Sequence, residues 1–131
     1  MKLERLDHLV LTVQSLEAST RFYQHVLGME IITFGQNRKA AAFGQQKINF
    51  HEAGHEIDPK ALRPTPGSGD LCFLSAVPLS DVIAHLNATG TAIELGPVPR
   101  SGALGPIISV YIRDPDGNLI EISVPDNLVK G

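Results

Sequence analysis

Residues 6–13, LDHLVLTV, are rich in leucine and valine, which is typical of a β-strand. The hydrophobic period changes from Ser15 to Leu27, where four apolar residues can share one helical face (Leu16, Tyr23, Val26 and Leu27). Gly28 follows as the predicted C-terminal cap of that helix. Short strands are then predicted at 30–34, 39–43 and 47–51. The first half of the chain therefore predicts the order strand, helix, strand, strand, strand.

The second half predicts the same order. Residues 70–76, DLCFLSA, are a predicted strand, and a helix with an apolar face of Val82, Ile83 and Leu86 ends at Gly90. Further strands are predicted at 93–95, 107–113 and 118–124. The turn Asp114–Gly117 joins the last two, because proline presets one turn dihedral and glycine takes the left-handed position.

The spacing indicates an internal duplication. Gly28 follows His8 by 20 residues and Gly90 follows Asp70 by 20 residues, so the front parts align at an offset of 62 (70 − 8). The turn at 44–47 aligns with 114–117 at an offset of 70 (114 − 44). About eight extra residues (70 − 62) therefore fall in the second copy, and we place them in a loop at 96–106. The predicted architecture is one domain, residues 1–131, with modules at about 4–52 and 69–125 and a loop-like linker at 52–69.

Composition excludes several classes of protein. The formal net charge is −3 and no basic run is present, which argues against nucleic acid as a partner. No apolar stretch approaches the roughly 20 residues that span a bilayer. The single cysteine, Cys72, permits no intrachain disulfide and is expected to be a small buried residue. Since the N-terminal residues lack the apolar core of a signal peptide, we expect a cytoplasmic protein.

Strand alternation sorts the polar residues onto one side of the predicted sheet. The apolar alternate residues are expected to pack under the helices, and the opposite faces to line an open side. Four residues with metal-binding side chains fall on that open side: His8, His51, Asp70 and Glu121. In the repeat alignment His8 pairs with Asp70, and His51 pairs with Glu121. Two imidazoles and two carboxylates are a common ligand set for a divalent transition metal.

Three motifs resemble the vicinal oxygen chelate superfamily, which includes glyoxalase I, the fosfomycin-resistance proteins and the extradiol dioxygenases. They are the opening strand at 6–13, the segment RFYQHVLGM at 21–29 and the closing segment RDPDGNLIEI at 113–122. The resemblance covers nearly the whole chain. It is strongest toward lactoylglutathione-lyase-like, short glyoxalase-domain proteins with an INFH strand, here residues 48–51.

The resemblance implies an α+β fold in which two βαβββ modules form a cupped, barrel-like mixed sheet with the helices outside. It implies a divalent Ni, Zn, Co, Mn or Fe ion bound in the cup by His8, His51, Asp70 and Glu121. Aspartate is unusual at the position of Asp70; without it, His8, His51 and Glu121 remain as a two-histidine, one-carboxylate set. Glu121 is the implied base of a metal-dependent lyase or isomerase, with glutathione as a candidate co-substrate and a homodimer as the assembly.

Asn49, Arg63 and Arg100 are the candidate substrate-binding residues, the two arginines because loops bordering the cup could bring them to an anionic substrate. Three other functions stay open. They are an Fe(II) ring-cleaving dioxygenase, a thiol transferase of the fosfomycin-resistance kind, and a metal-free drug-binding dimer of the bleomycin-resistance kind. Oxygen consumption would identify the dioxygenase, and basic residues around the cup would favour the thiol transferase. Drug binding by the metal-free protein would favour the drug-binding dimer.

Overall fold

The computed structural model describes residues 1–126, and the chain divides into two compact units, Met1–Ser68 and Gly69 onward. Each unit has the order βαβββ. The elements of the first unit are β1 (His8–Val13), α1 (Leu16–His25), β2 (Glu30–Phe34), β3 (Arg38–Phe43) and β4 (Gln46–Glu52). Those of the second are β5 (Asp70–Leu74), α2 (Leu79–Ala88), β6 (Leu95–Gly102), β7 (Gly105–Arg113) and β8 (Leu119–Pro125). The predicted α+β class and its two βαβββ modules are confirmed.

In the first unit the sheet order is β1-β4-β3-β2, with β1 parallel to β4 and the other pairs antiparallel. Helix α1 begins after Ser15, whose Oγ accepts a hydrogen bond from the Ala18 N–H at 3.1 Å. The helix packs on β2, β3 and β4. This packing buries Tyr23, whose ring lies 5.3 Å from the ring of Phe50. One face of the sheet is thereby covered by the helix.

The second unit repeats the arrangement with the order β5-β8-β7-β6 and a parallel β5–β8 pair. Helix α2 contacts β8, and Leu86 of the helix is buried, as are Ile112 and Ile120 of the sheet. Gly28 and Gly90 follow the two helices with φ of 69° in both cases, the left-handed conformation expected of a glycine after a helix. The apolar periodicity that predicted the two helices therefore marks their buried faces.

The hairpin β6–β7 corrects one prediction. Residues 96–106 were predicted to be a loop, but most of them lie in β6 and β7, which pair with a register shift between Leu95 and Val98. The extra residues lengthen a hairpin, and β6 begins at Leu95 rather than at residue 93. Gly96 adopts φ of 115° at the irregularity, and a Cβ there would collide with the carbonyl oxygen of Ser109.

Residues 53–69 contain no helix or strand, as predicted for the linker. Among residues 1–126, no helix is long and apolar enough to cross a membrane.

The turn between β7 and β8 is held by two buried polar residues. Asp114 Oδ1 accepts hydrogen bonds from the backbone N–H groups of Asp116 and Asn118, both at 2.9 Å, and its Oδ2 accepts from Asn118 Nδ2 at 2.7 Å. The other amide atom, Asn118 Oδ1, accepts from the Gly69 N–H at 2.6 Å. Asn118 therefore ties the start of β8 to the residue that precedes β5.

We predict that Asn118→Ala lowers the free energy of unfolding by about 3 kcal/mol, because it removes the amide donor to Asp114 Oδ2 and the side-chain acceptor of the Gly69 N–H. Urea unfolding measures the change. The matched control is Asn87→Ala on the exposed side of α2, which should stay within about 0.5 kcal/mol of the wild type. Equal losses in both variants would contradict the assigned role of Asn118.

Candidate active site

The side of the first sheet away from α1 carries the polar residues. The parallel pairing sets His8 opposite Lys47, Val10 opposite Asn49 and Thr12 opposite His51. Alternate residues of one strand share a face, so these six side chains lie on one side. We call this side the open face of the first unit. It also includes Arg38 of β3 and Phe34 of β2, which pair with each other at the level of His51.

His8 forms a carboxylate–imidazole pair with the residue before it. Its Nδ1 lies 2.8 Å from Asp7 Oδ2, and the contact lowers the pKa of the Asp7 carboxyl, mainly through this hydrogen bond. The His8 side chain is 44% exposed. Within the described residues its Nε2 makes no hydrogen bond, so the carboxylate orients the ring and leaves Nε2 available to a ligand.

His51 lies deeper, with 6% of its surface exposed. Burial, and next the positive charge of Arg38, lower the pKa of its imidazole, while Glu56 acts weakly in the opposite direction. The ring is therefore neutral near pH 7, which is the form that binds a metal. Its Nε2 lies 3.4 Å from Nη2 of Arg38.

Arg38 is a residue that our reading of the sequence missed. Strand β3 was predicted to begin at residue 39 and begins at Arg38. The Arg38 Cζ lies 4.8 Å from the centroid of the Phe34 ring, and Lys47 Nζ lies 3.7 Å from the same centroid. Alternation from Ala40 and Ala42 would have placed Arg38 on the open face, had the strand been extended by one residue.

In the second unit Glu121 faces away from the helix, beside Cys72 of β5 and Tyr111 of β7. It is half-buried, and its Oε2 accepts a hydrogen bond from Ser109 Oγ at 2.6 Å. Ser109 Oγ lies 2.6 Å from Ser123 Oγ, and both serines are fully buried. Among the described residues the Glu121 carboxylate has no cationic partner; its Oε2 is contacted by Ser109 and, at 3.5 Å, by Ser123, and the Cys72 thiol lies within hydrogen-bonding reach of the carboxylate. Sequence reasoning did not find the two serines, because only the cross-strand register brings them to Glu121.

Cys72 is exposed, so the expectation of a buried cysteine was wrong. Its Sγ lies 3.4 Å from Ser123 Oγ, at the end of the hydroxyl network. Partial burial of the thiol, which is the largest cause, and the nearby Glu121 carboxylate raise the pKa of Cys72. The thiol is therefore protonated near neutral pH, and it is a poor nucleophile.

The strand register also corrects the repeat alignment. Asp70 pairs with Leu119 and His8 pairs with Lys47, so Glu121 lies two residues beyond the partner of Asp70. The corresponding residue two beyond Lys47 is Asn49, not His51. The β7–β8 turn (residues 114–118) is longer than the β3–β4 turn (residues 44–45), which makes the offset 72 (121 − 49) rather than 70. His51 lies four residues beyond Lys47, about 13 Å along the strand.

The remaining predicted site residues are exposed. Asp70 is the first residue of β5, on the face of Glu121, and Arg63 lies in the segment without helix or strand. Arg100 lies on β6 rather than in a loop; its Nε donates to Tyr111 OH at 2.9 Å, which brings it beside the strand neighbour of Glu121. Among residues 1–126, no three His, Cys, Asp or Glu side chains are grouped so that they could hold a metal ion.

Comparison with known proteins gives a consistent family. A family model described as the Glyoxalase/Bleomycin resistance protein/Dioxygenase superfamily matches residues 5–122. Virulence protein STM3117 of Salmonella typhimurium is 57% identical over 123 residues, which are 94% of this chain and 85% of that protein. Glyoxalase domain-containing protein RDO1 of Mycosarcoma maydis is 50% identical over 123 residues, which are 94% of this chain and 69% of that protein.

Solved structures share the fold. Integron cassette protein VCH_CASS1 from the mobile metagenome of V. cholerae superposes with a TM-score of 0.93 at 52% identity, covering 95% of this chain and 97% of that one. Lactoylglutathione lyase from Agrobacterium tumefaciens superposes with a TM-score of 0.71 at 22% identity, covering 94% and 95% of the two chains. At that lower identity the likeness concerns the fold alone.

The lowered pKa of His51 predicts a pH dependence of stability. The unfolded chain takes up a proton at His51 near pH 6.5 and the folded chain only at lower pH, so stability falls as the pH drops below about 6.5 toward the folded-state pKa. We expect His51→Gln, unfolded with urea in the presence of a chelator, to lose less stability than the wild type between about pH 7.5 and 5.5. His55→Gln, at an exposed position, is the matched control. A His51→Gln variant with the same loss as the wild type would contradict the assignment.

Proposed function

Because the chain belongs to the Glyoxalase/Bleomycin resistance protein/Dioxygenase superfamily, we propose that it is a metal-dependent lyase or isomerase of the lactoylglutathione lyase type. Its substrate is a small molecule with two adjacent oxygen atoms, and glutathione is a candidate co-substrate. We further propose a cytoplasmic homodimer, as the family resemblance implies. The single observation that carries the proposal is the carboxylate of Glu121.

Glu121 is a half-buried carboxylate in a strand whose neighbours Ile120 and Ile122 are buried. Burying a charge without a cation is costly, and within residues 1–126 the contacts of this carboxylate come from hydroxyl and thiol groups rather than from a cation. Ser109 fixes the position of Oε2. A carboxylate held in one orientation suits the binding of a cation and the transfer of a proton.

Two residues have the properties of ligands for a divalent metal. His8 has its ring oriented by Asp7 and its Nε2 free, and Glu121 is a carboxylate without a cationic partner among the described residues. We propose His8, Asp70 and Glu121 as the residues that would hold it; His51, the fourth ligand predicted from the sequence, lies about 13 Å along the strand from the level of His8, too far to share the ion with it. When bound, a divalent metal would supply a Lewis acid for two adjacent substrate oxygens.

The chain's own chemistry would then be a proton transfer at Glu121. The Glu121 carboxylate takes a proton from the substrate carbon and returns it to the neighbouring carbon, while Ser109 keeps donating to Oε2. The protonated thiol of Cys72 lies in the same hydroxyl network without competing as a nucleophile. The reaction is an isomerisation: the proton that leaves one carbon is delivered to the next, so the substrate neither gains nor loses atoms.

Elemental analysis of untagged protein tests the metal. We predict close to one transition-metal ion per chain in the wild type and a loss of more than about tenfold in His8→Ala and in Glu121→Gln. Glu17→Gln on the exposed side of α1 is the matched control and should keep the wild-type content. A wild type that cannot be loaded with any divalent metal contradicts the proposal.

Activity is a second, separate readout. With the hemithioacetal of an α-oxo aldehyde and glutathione as substrate, we expect Glu121→Gln to lower kcat by at least about 100-fold, because the base is lost. Oxygen consumption by the iron-loaded protein, without turnover of this substrate, would identify a dioxygenase instead.

A further inference from the structure

Two buried polar atoms on the open face of the first unit have no hydrogen-bond partner. They are Nε of Arg38, a donor, and Oδ1 of Asn49, an acceptor. Asn49 is 5% exposed. Buried polar groups in folded proteins are almost always hydrogen-bonded, and exceptions call for a bound molecule or a function. One donor and one acceptor on this face are therefore available to a bound molecule.

The two atoms belong to neighbouring strands. Asn49 of β4 pairs with Ala40 of β3, and Arg38 lies two residues from Ala40 on the same face. Such diagonal neighbours are about 7–8 Å apart at their Cα atoms, within reach of long side chains. One small molecule can therefore contact both groups.

The guanidinium of Arg38 is held in place by its surroundings. Nη2 lies 3.4 Å from Nε2 of His51, and the group packs over the ring of Phe34. Because these contacts fix the plane, the Nε–H donor keeps one direction and binding loses little side-chain entropy. The second cation, Lys47, packs on the same ring, and exposed Glu30 is the acidic residue at the level of Lys47.

We infer that Arg38 and Asn49 form a subsite for a small 2-hydroxycarboxylate. The carboxylate accepts from Arg38 Nε–H, and the adjacent hydroxyl donates to Asn49 Oδ1. A simple carboxylate satisfies only the donor, and a neutral alcohol satisfies only the acceptor. The inference goes beyond the proposed function: it concerns ligand binding on the open face of the first unit, and Glu121 has no part in it.

The test uses the full chain after treatment with a chelator, so that binding is measured without a metal. Glycolate and acetate are the two probes, since they differ by one hydroxyl. Nitrogen-15 labelling of arginine allows the Nε–H signal of Arg38 to be followed by NMR during each titration. We expect this signal to shift with both probes, and glycolate to bind about tenfold more tightly than acetate.

Two variants separate the donor from the acceptor. Arg38→Lys keeps the charge but loses Nε–H, and should weaken the binding of both probes by about tenfold or more. Asn49→Ala should reduce the affinity for glycolate to that for acetate while leaving acetate unchanged. The matched controls are Arg21→Lys and Asn87→Ala at exposed helix positions, which should bind as the wild type does. Circular dichroism checks the folding of each variant; if Arg38→Lys does not fold, the wild-type NMR shift and Asn49→Ala decide.

Two results overturn the inference. They are an Arg38 Nε–H signal that does not shift with glycolate, and an Asn49→Ala variant that keeps the preference for glycolate over acetate. Its failure is distinct from failure of the proposed function. If the protein binds metal through Glu121 but does not bind glycolate, only the subsite is contradicted. If it binds glycolate but no metal, the subsite stands and the proposed enzyme function is contradicted.

Discussion

The parallel pairing of the first and last strands within each unit is the constraint on which the rest depends. It places β1 beside β4 and β5 beside β8, and in each pair the alternate side chains of both strands point to one side. The helix covers the apolar side, so the polar residues share the other. A shift of the register by one residue would move His51 and Glu121 into the apolar core, where neither has a partner. The hydrophobic faces of the strands therefore fix the positions of the polar groups.

The sheet faces away from the helices differ in chemistry between the two units. In the second unit Glu121 and the buried Ser109 and Ser123 form hydrogen bonds among themselves, which holds a carboxylate at a fixed orientation. In the first unit burial, and next the positive charge of Arg38, lower the pKa of the His51 imidazole and favour its neutral form. Keeping polar and ionisable groups partly out of water costs free energy that apolar residues at these positions would not cost. Such residues are expected where binding or catalysis, rather than stability, determines the side chain.

Local patterns predicted much of the fold. The apolar periodicity around Tyr23 and Leu86 predicted both helices, and alternation in 6–13 and 118–124 predicted the faces of His8 and Glu121. These local patterns did not predict which residues of distant strands pair with each other. The proline- and glycine-rich segment around Arg100 has the composition of a loop, but pairing with β7 makes it a strand. The equivalence of His51 with Glu121 failed for the same reason, because turn lengths do not determine register; Asn49 is the equivalent residue.

The most direct measurement on the central claim, a metal centre that uses His8 and Glu121, is X-ray absorption at the edge of the bound metal. The wild type and His8→Ala would be compared after loading with the same divalent ion. The account predicts imidazole scattering in the wild type that weakens in His8→Ala, together with oxygen ligands. A spectrum without imidazole, or one unchanged in His8→Ala, would contradict the account.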